Sequence, residues 1–168
     1  MTYSEAQTYI KNPKKVLDDQ GSELEMWHFK LPLKNKFQVS FSDEKANKYI
    51  LDVFHSDKVG IKMSFHLRNV NNEGLARLDY NGAHTNPSPY TPDVPAIFKP
   101  YVGRVFDAES HLHLHVENHG LDWALPLEAT EIAPKTINAV DTNQGFKEAF
   151  EGFCKYLNIK TDIELEIE

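Results

Sequence analysis

Cysteine is almost missing from this chain: Cys154 is the only one in 168 residues. A lone cysteine closes no internal disulfide and forms no Cys–Cys zinc pair. Long apolar runs are missing as well. No stretch approaches the ~20 residues a membrane helix needs, and residues 1–10 are polar, without the apolar centre of a secretion signal. These absences predict a reducing, cytoplasmic setting and no membrane. Basic charge is in deficit, with 18 Lys and Arg against 25 Asp and Glu, a net −7. That argues against a domain whose main task is coating nucleic acid, because such binding rests on cations neutralising phosphates. No extended DNA-binding surface is expected, although a small local site remains compatible with the charge. There is no phosphate-binding Gly-rich loop, no nucleophile elbow and no HExxH helix. Repeats and lipidation signals are absent too.

What is present suffices for a core. Ten Phe, seven Tyr and two Trp accompany a 40% hydrophobic fraction. The length suits one domain over residues 1–168. Ser4 and Gln7 are placed like a capping box for a short N-terminal helix that Pro13 limits. From Glu23 to Leu31, Trp27, Phe29 and Leu31 share one face of a strand. Residues 36–55 read as a hairpin across the polar turn Asp43–Asn47. A second hairpin sets Ile61, Met63, Phe65 and Leu67 opposite Lys62, Ser64, His66 and Arg68. Its turn is Asn71-Asn72-Glu73-Gly74, rich in residues that tolerate positive φ. On the return strand Ala76, Leu78 and Tyr80 face the core, and Arg77 and Asp79 face away.

Residues 86–104 hold Pro87, Pro89, Pro92, Pro95 and Pro100, too many for a helix or a central strand. A loop this long is often a lid or a binding loop. His111 to Val116 alternates strictly, and Glu117-Asn118-His119-Gly120 turns the chain into a partner strand, Leu121–Leu127. Asp141–Leu157 is the clearest helix. Asp141 and Gln144 look like its cap, Phe146, Ala149, Phe150, Phe153 and Leu157 form its apolar stripe, and Asn158 ends it. The tail, Asp162–Glu168, alternates as an acidic edge strand. The pattern implies an α+β fold. It is an antiparallel β-sheet or partly open barrel of six to eight strands, with the C-terminal amphipathic helix packed on it and a short N-terminal helix.

Chemistry concentrates in histidine. On a strand, His111, His113 and His115 project from one face while Leu112, Leu114 and Val116 enter the core. Such a row can bind a metal or exchange protons near neutral pH. Histidines two apart on a flat strand usually supply two ligands, so a third would come from elsewhere, such as His84 or Glu117. The plain alternative is a solvated polar face. Arg77 and Asp79 share a face, and His84 follows. If their strand lies beside the triplet, Arg77, Asp79, His84 and His113 converge under the Pro-rich loop as a centre suited to phosphoester chemistry. Otherwise Arg77 and Asp79 are a surface ion pair and His84 caps a turn. His66 and Arg68, which share a strand face with Ser64, would extend the patch; otherwise that face is simply solvated. Cys154 sits beside the helix stripe as a buried small hydrophobe. His28, His55 and His119 are scattered and carry no assigned role.

The run His111–Val116 resembles the signature of the histidine-triad nucleotide hydrolases and transferases. Glu117 stands where that signature has another apolar residue, and Val105–Ser110 lacks its usual Gly- and Gln-containing lead-in. The resemblance implies His113 as nucleophile. His111, His113 and Glu117 also resemble the first cupin motif, but the second motif is missing. A broader likeness spans residues 60–160. Arg77-Leu78-Asp79, His84-x-Asn86-Pro87, the His-x-His strand and the helix begun by Asp141-Thr142-Asn143 resemble a small prokaryotic family. That family has no assigned function, and its members tend to sit among mobile-element and defence genes. It implies no activity.

Two functions follow as expectations, neither needing a cofactor. One is an acidic interaction protein, an inhibitor or antidote, that grips a protein partner through Tyr90, Phe98 and Tyr101. The other is a His-based phosphoesterase or ribonuclease-like enzyme acting on RNA or a nucleotide. Metal binding by His111, His113 and His115 is a third reading.

Overall fold

Alternation of apolar and polar residues builds most of this molecule. The computed structural model describes residues 1–31, 35–56, 62–137 and 142–167. Ile61, Asp141 and Glu168, assigned above to a strand, a helix cap and the tail, lie outside the described residues. Among the described residues, seven strands form one open antiparallel sheet: β1 (Lys14–Val16), β3 (Lys36–Asp43), β4 (Lys48–His55), β5 (Met63–Asn69), β6 (Gly74–Thr85), β7 (Val105–Leu114) and β8 (Ala124–Pro126). Their spatial order is β1-β3-β4-β5-β6-β7-β8. From β3 to β8 each strand lies antiparallel beside its sequence neighbour; short turns impose this on β3–β4 and β5–β6, while β6 and β7 pair across the long segment 86–104. The two expected hairpins are β3–β4 and β5–β6, and Asn72 takes a positive φ of 64° in the second turn.

The strand expected near residue 27 leaves this sheet. β2 (Met26–Leu31) pairs in parallel with β9 (Asp162–Ile167), over a register from Met26↔Asp162 to Leu31↔Ile167. The tail is therefore the partner of a strand far away in sequence.

One face of the large sheet is apolar. Leu51, Val53, Phe65, Leu67, Leu78 and Leu112 are at most 2% exposed. The helix α2 (Thr142–Tyr156) covers it with Phe146, Ala149, Phe150 and Phe153. Phe65 lies within 6.0 Å, ring centre to ring centre, of all three helix phenylalanines. Each buried ring is worth roughly 1.5–3 kcal/mol in transfer terms. Asn158, with φ 58°, ends the helix in the left-handed region. The N-terminal helix α1 (Tyr3–Lys11) starts two residues earlier than the sequence suggested. Thr2 and Glu5, not Ser4 and Gln7, form its capping box. Both pairs have the required spacing; Thr2 has the extended backbone of a cap, and its hydroxyl accepts from the Glu5 amide.

Asp43 fastens the β3–β4 turn. Its carboxylate accepts from the Lys45 and Asn47 amides, from the Asn47 and Asn12 side chains and from the Tyr49 hydroxyl. Burial opposes its ionisation, but these donors outweigh burial and pull the carboxyl down to about 2. A depressed carboxylate stabilises the fold above its unfolded value of about 3.9 and loses that stability as pH falls through its folded value. Asp43→Asn is expected to cost about 1–2 kcal/mol at neutral pH. It should also flatten the pH dependence of thermal unfolding between about pH 4 and 2, read by circular dichroism.

Candidate functional site

Strand register places the site. Partners across a sheet share a face, so the pairs Gln38↔Asp52, Asp52↔His66, His66↔Arg77 and Arg77↔His113 line up as one transverse row. The row beside it runs Lys36, Phe54, Ser64, Asp79 and His111. Both rows lie on the face opposite α2. Arg77 and Asp79 on β6 thus stand directly against His113 and His111 on β7.

His84 reaches this group through an irregularity. β6 extends to Thr85, and along an even strand His84 would face away from Arg77 and Asp79. The β6–β7 register slips between Asp79 and Gly82 and again between Gly82 and His84, with Asn81 at φ 56° and Ala108 at φ 47°. The first slip adds one residue on β6 and reverses the alternation. His84 then comes to the polar face. Its ring centre lies 4.5 Å from that of His113 and 5.8 Å from that of His111. Its Nε2 donates to the Asn86 side chain at 3.1 Å and to the Asp122 carbonyl at 2.9 Å. Asn86, itself 2% exposed, also bonds both polar groups of the Ala124 backbone and the Tyr101 carbonyl. It ties the Pro-rich segment to the sheet edge beside the site.

The other two rings have settled tautomers. His111 Nδ1 lies 2.7 Å from the Glu109 carbonyl, and His113 Nδ1 lies 2.7 Å from the Leu121 carbonyl. A carbonyl only accepts, so both Nδ1 atoms carry the proton and both neutral rings aim an Nε2 lone pair inward. His113 Nε2 accepts from Arg77 Nη2 at 3.0 Å and lies 3.2 Å from Asp79 Oδ2. Arg77 Nε donates to the same Asp79 oxygen at 2.9 Å. His111 Nε2 stands 3.5 Å from that oxygen and has no hydrogen-bond partner among the described residues.

Charge follows this geometry. Burial would raise the Asp79 carboxyl, but the Arg77 guanidinium and a hydrogen bond from Ser64 hold it well below the usual carboxylate range. Burial lowers His111 to about 4, with His113 adding to the effect against the Glu109 carbonyl, so the ring is neutral at physiological pH. Burial, then the neighbouring His113, also lowers His84.

Several expectations need correction. The His111 and His113 face is not a solvated one: both side chains are buried, beneath Phe106, His84 and the turn that follows β7. His115 does not join them. Its ring nitrogens face the Gly74 carbonyl at 3.0 Å and the Met1 carbonyl at 2.9 Å. It anchors the N-terminus, and Asp79 takes the place beside His111 and His113 that a row of three would give it. Arg77 and Asp79 are not a plain surface pair, since their contacts run into the two buried imidazoles. Phe98 is buried against Trp123 and Tyr3, so it offers no exposed anchor; Tyr90 and Tyr101 are half-buried. A 3₁₀ helix, Ala96–Tyr101, carries this part of the segment.

Asn86 and the Leu121 and Asp122 carbonyls are site components that pattern reading missed. Only the Asn-Pro pair at residues 86–87 hinted at a fixed turn. Beyond Arg77 the polar rows open into a groove of about 420 Å³ lined by Lys36, Phe54, Ser64, His66 and Arg77. Phe54 is 37% exposed there, with the Lys36 ammonium 5.8 Å from its ring centre.

Among the described residues no helix is long and apolar enough to cross a membrane. A family model whose description is a family of unknown function matches residues 1–159. No curated protein and no solved structure matches the chain.

Proposed function

The chain belongs to the family of unknown function DUF6978, which lends it no activity, and from its geometry we propose that it binds and cleaves a phosphoester of RNA or a nucleotide. One observation carries this reading: His84 and His113 stand 4.5 Å apart, ring centre to ring centre, with the Arg77 guanidinium 3.0 Å from His113. Two imidazoles beside one guanidinium are the groups an in-line displacement at phosphorus needs. One takes a proton from the attacking hydroxyl and one returns a proton to the leaving oxygen. The cation meets the charge that grows on the phosphoryl oxygens. His113 Nε2 is the unprotonated nitrogen and suits the first task. Asp79 holds Arg77 in place through its Nε. The groove suits the rest of the substrate, with Phe54 offering a ring on which a base can stack. Lys36 and His66 lie along its wall.

The test is turnover of an activated phosphodiester, a 2′,3′-cyclic nucleotide and a short RNA by the purified chain. His84→Ala and His113→Ala should each lower the rate by about 10²–10⁴-fold while the fold persists. Equal turnover in wild type and both variants would end the proposal.

A protein-binding role is the second reading, supported by Ile97, 47% exposed on the 3₁₀ helix, between the half-buried Tyr90 and Tyr101. Such a protein would act as an inhibitor or antidote. Its contact surface is smaller than the sequence suggested, because Phe98 is spent on the core.

A further inference from the structure

The geometry points to a zinc-class divalent metal site formed by Asp79, His111 and His113. The inference goes beyond phosphoester cleavage and does not depend on it.

The ligand set is built. His111 and His113 each give their Nδ1 proton to a backbone carbonyl at 2.7 Å. That outer contact fixes a metal-binding histidine's tautomer and orientation. The two inward Nε2 atoms lie 3.5 Å and 3.2 Å from one carboxylate oxygen, that of His113 also accepting from Arg77. Two ligands bonded to one tetrahedral zinc lie about 3.4 Å apart, so the spacing matches ligand edges. The longer distance is outside hydrogen-bond range. His111 Nε2 supplies the independent sign. Its side chain is 0% exposed, yet its inward nitrogen has no hydrogen-bond partner among the described residues. A buried acceptor left unpaired costs about 1–3 kcal/mol, and an ion would remove that cost.

Two imidazole nitrogens and one carboxylate oxygen select a borderline ion such as zinc or cobalt over calcium or magnesium, which favour oxygen donors. Three protein ligands leave a fourth position open, the pattern of catalytic zinc. Gly82 keeps the approach clear, since a Cβ there would lie 3.2 Å from Asp79 Cβ and 3.3 Å from His111 Cε1. Arg77 is the internal competitor. Its guanidinium bridges Asp79 and His113, but its side chain is 37% exposed and has room to swing toward the groove. An ion here would occupy His113 Nε2, the nitrogen given the base role above, and would supply Lewis acidity in place of that proton transfer.

The test uses the full chain without a histidine tag, freed of metal by chelation. Zinc is titrated by calorimetry and cobalt by visible absorption. One ion per chain, with the intense d–d bands of tetrahedral cobalt, is expected. Asp79→Asn and His111→Ala should each weaken zinc binding by about 100-fold or more, beyond the loss typical of outer contacts. Arg77→Met should tighten it by about tenfold, as a competing cation is removed. His115→Ala should bind as wild type does. Absence of saturable binding to the wild-type chain overturns the inference, as does wild-type affinity in Asp79→Asn. Should His111→Ala not fold, Asp79→Asn, close in shape, decides alone. Turnover in the presence of chelator with no metal binding removes this site and leaves the acid–base reading. Binding without turnover does the reverse.

Discussion

Alanine at Gly152 is expected to lower the stability of the fold by about 2–4 kcal/mol, the largest loss from any single added carbon here. Gly152 lies on α2, where alanine is intrinsically better than glycine by about 1 kcal/mol. A solvent-facing position would therefore gain. Here a Cβ would stand 1.8 Å from the Ala133 carbonyl oxygen and 3.0 Å from its carbon. Backbone, not a flexible side-chain end, is in the way. The opposing segment has little room to retreat, because Ile132 is 1% exposed and the Pro134 carbonyl accepts from the Tyr80 hydroxyl at 2.7 Å. The helix must shift instead, opening the contacts of Phe146, Phe150 and Phe153 with the sheet. Overpacking of this kind costs typically 1–3 kcal/mol and sometimes more. At this chain length each kcal/mol moves the midpoint by about 2–4 °C. Thermal unfolding should show a fall of about 5–15 °C, and a rise would mean that α2 sits farther from residue 133.

Arg77→Met should lower phosphoester turnover by about 10²–10³-fold, the range for losing one preorganised donor to a developing oxyanion. Methionine keeps the aliphatic stem and removes only the fork that meets Asp79 and His113. Arg77→Lys should recover little. A lysine ammonium cannot reproduce a planar fork with one arm on a carboxylate and the other on an imidazole. The loss should appear in kcat with the fold intact, because the Arg77 side chain is partly exposed. Turnover within threefold of wild type would remove Arg77 from the reaction.

How much of this was legible beforehand differs by element. The hairpins were readable because alternation and turn residues act over a few positions, as the Asn72 turn shows. The α2 stripe was readable for the same reason. Arg77 and Asp79 could be assigned one face from strand period alone. His84 could not, since its place depends on a slip of register; the Asn81-Gly82 pair hints at a bulge but does not tell which strand carries the extra residue. Phe98 looked like any aromatic in a proline-rich stretch; only Trp123 and Tyr3 packed around it make it core. Lys14 is a stronger case. Composition puts lysine at the surface, yet it is 1% exposed, with its ammonium donating to the Ile10, Asn12 and Leu157 carbonyls.

The amino-acid order by itself determined the local elements: which segments extend or coil, which face of each is apolar, and which side chains travel together along a strand. Those choices depend on periods of two and 3.6 residues, which the chain carries within any short window. The tertiary structure alone decided that β2 meets β9 and that the face bearing His111 and His113 is closed over. It also decided that an aspartate rather than a third histidine stands before them. Each of these depends on contacts between distant segments, and a buried ring's chemistry is set by whichever carbonyl or charge the fold brings to its nitrogens.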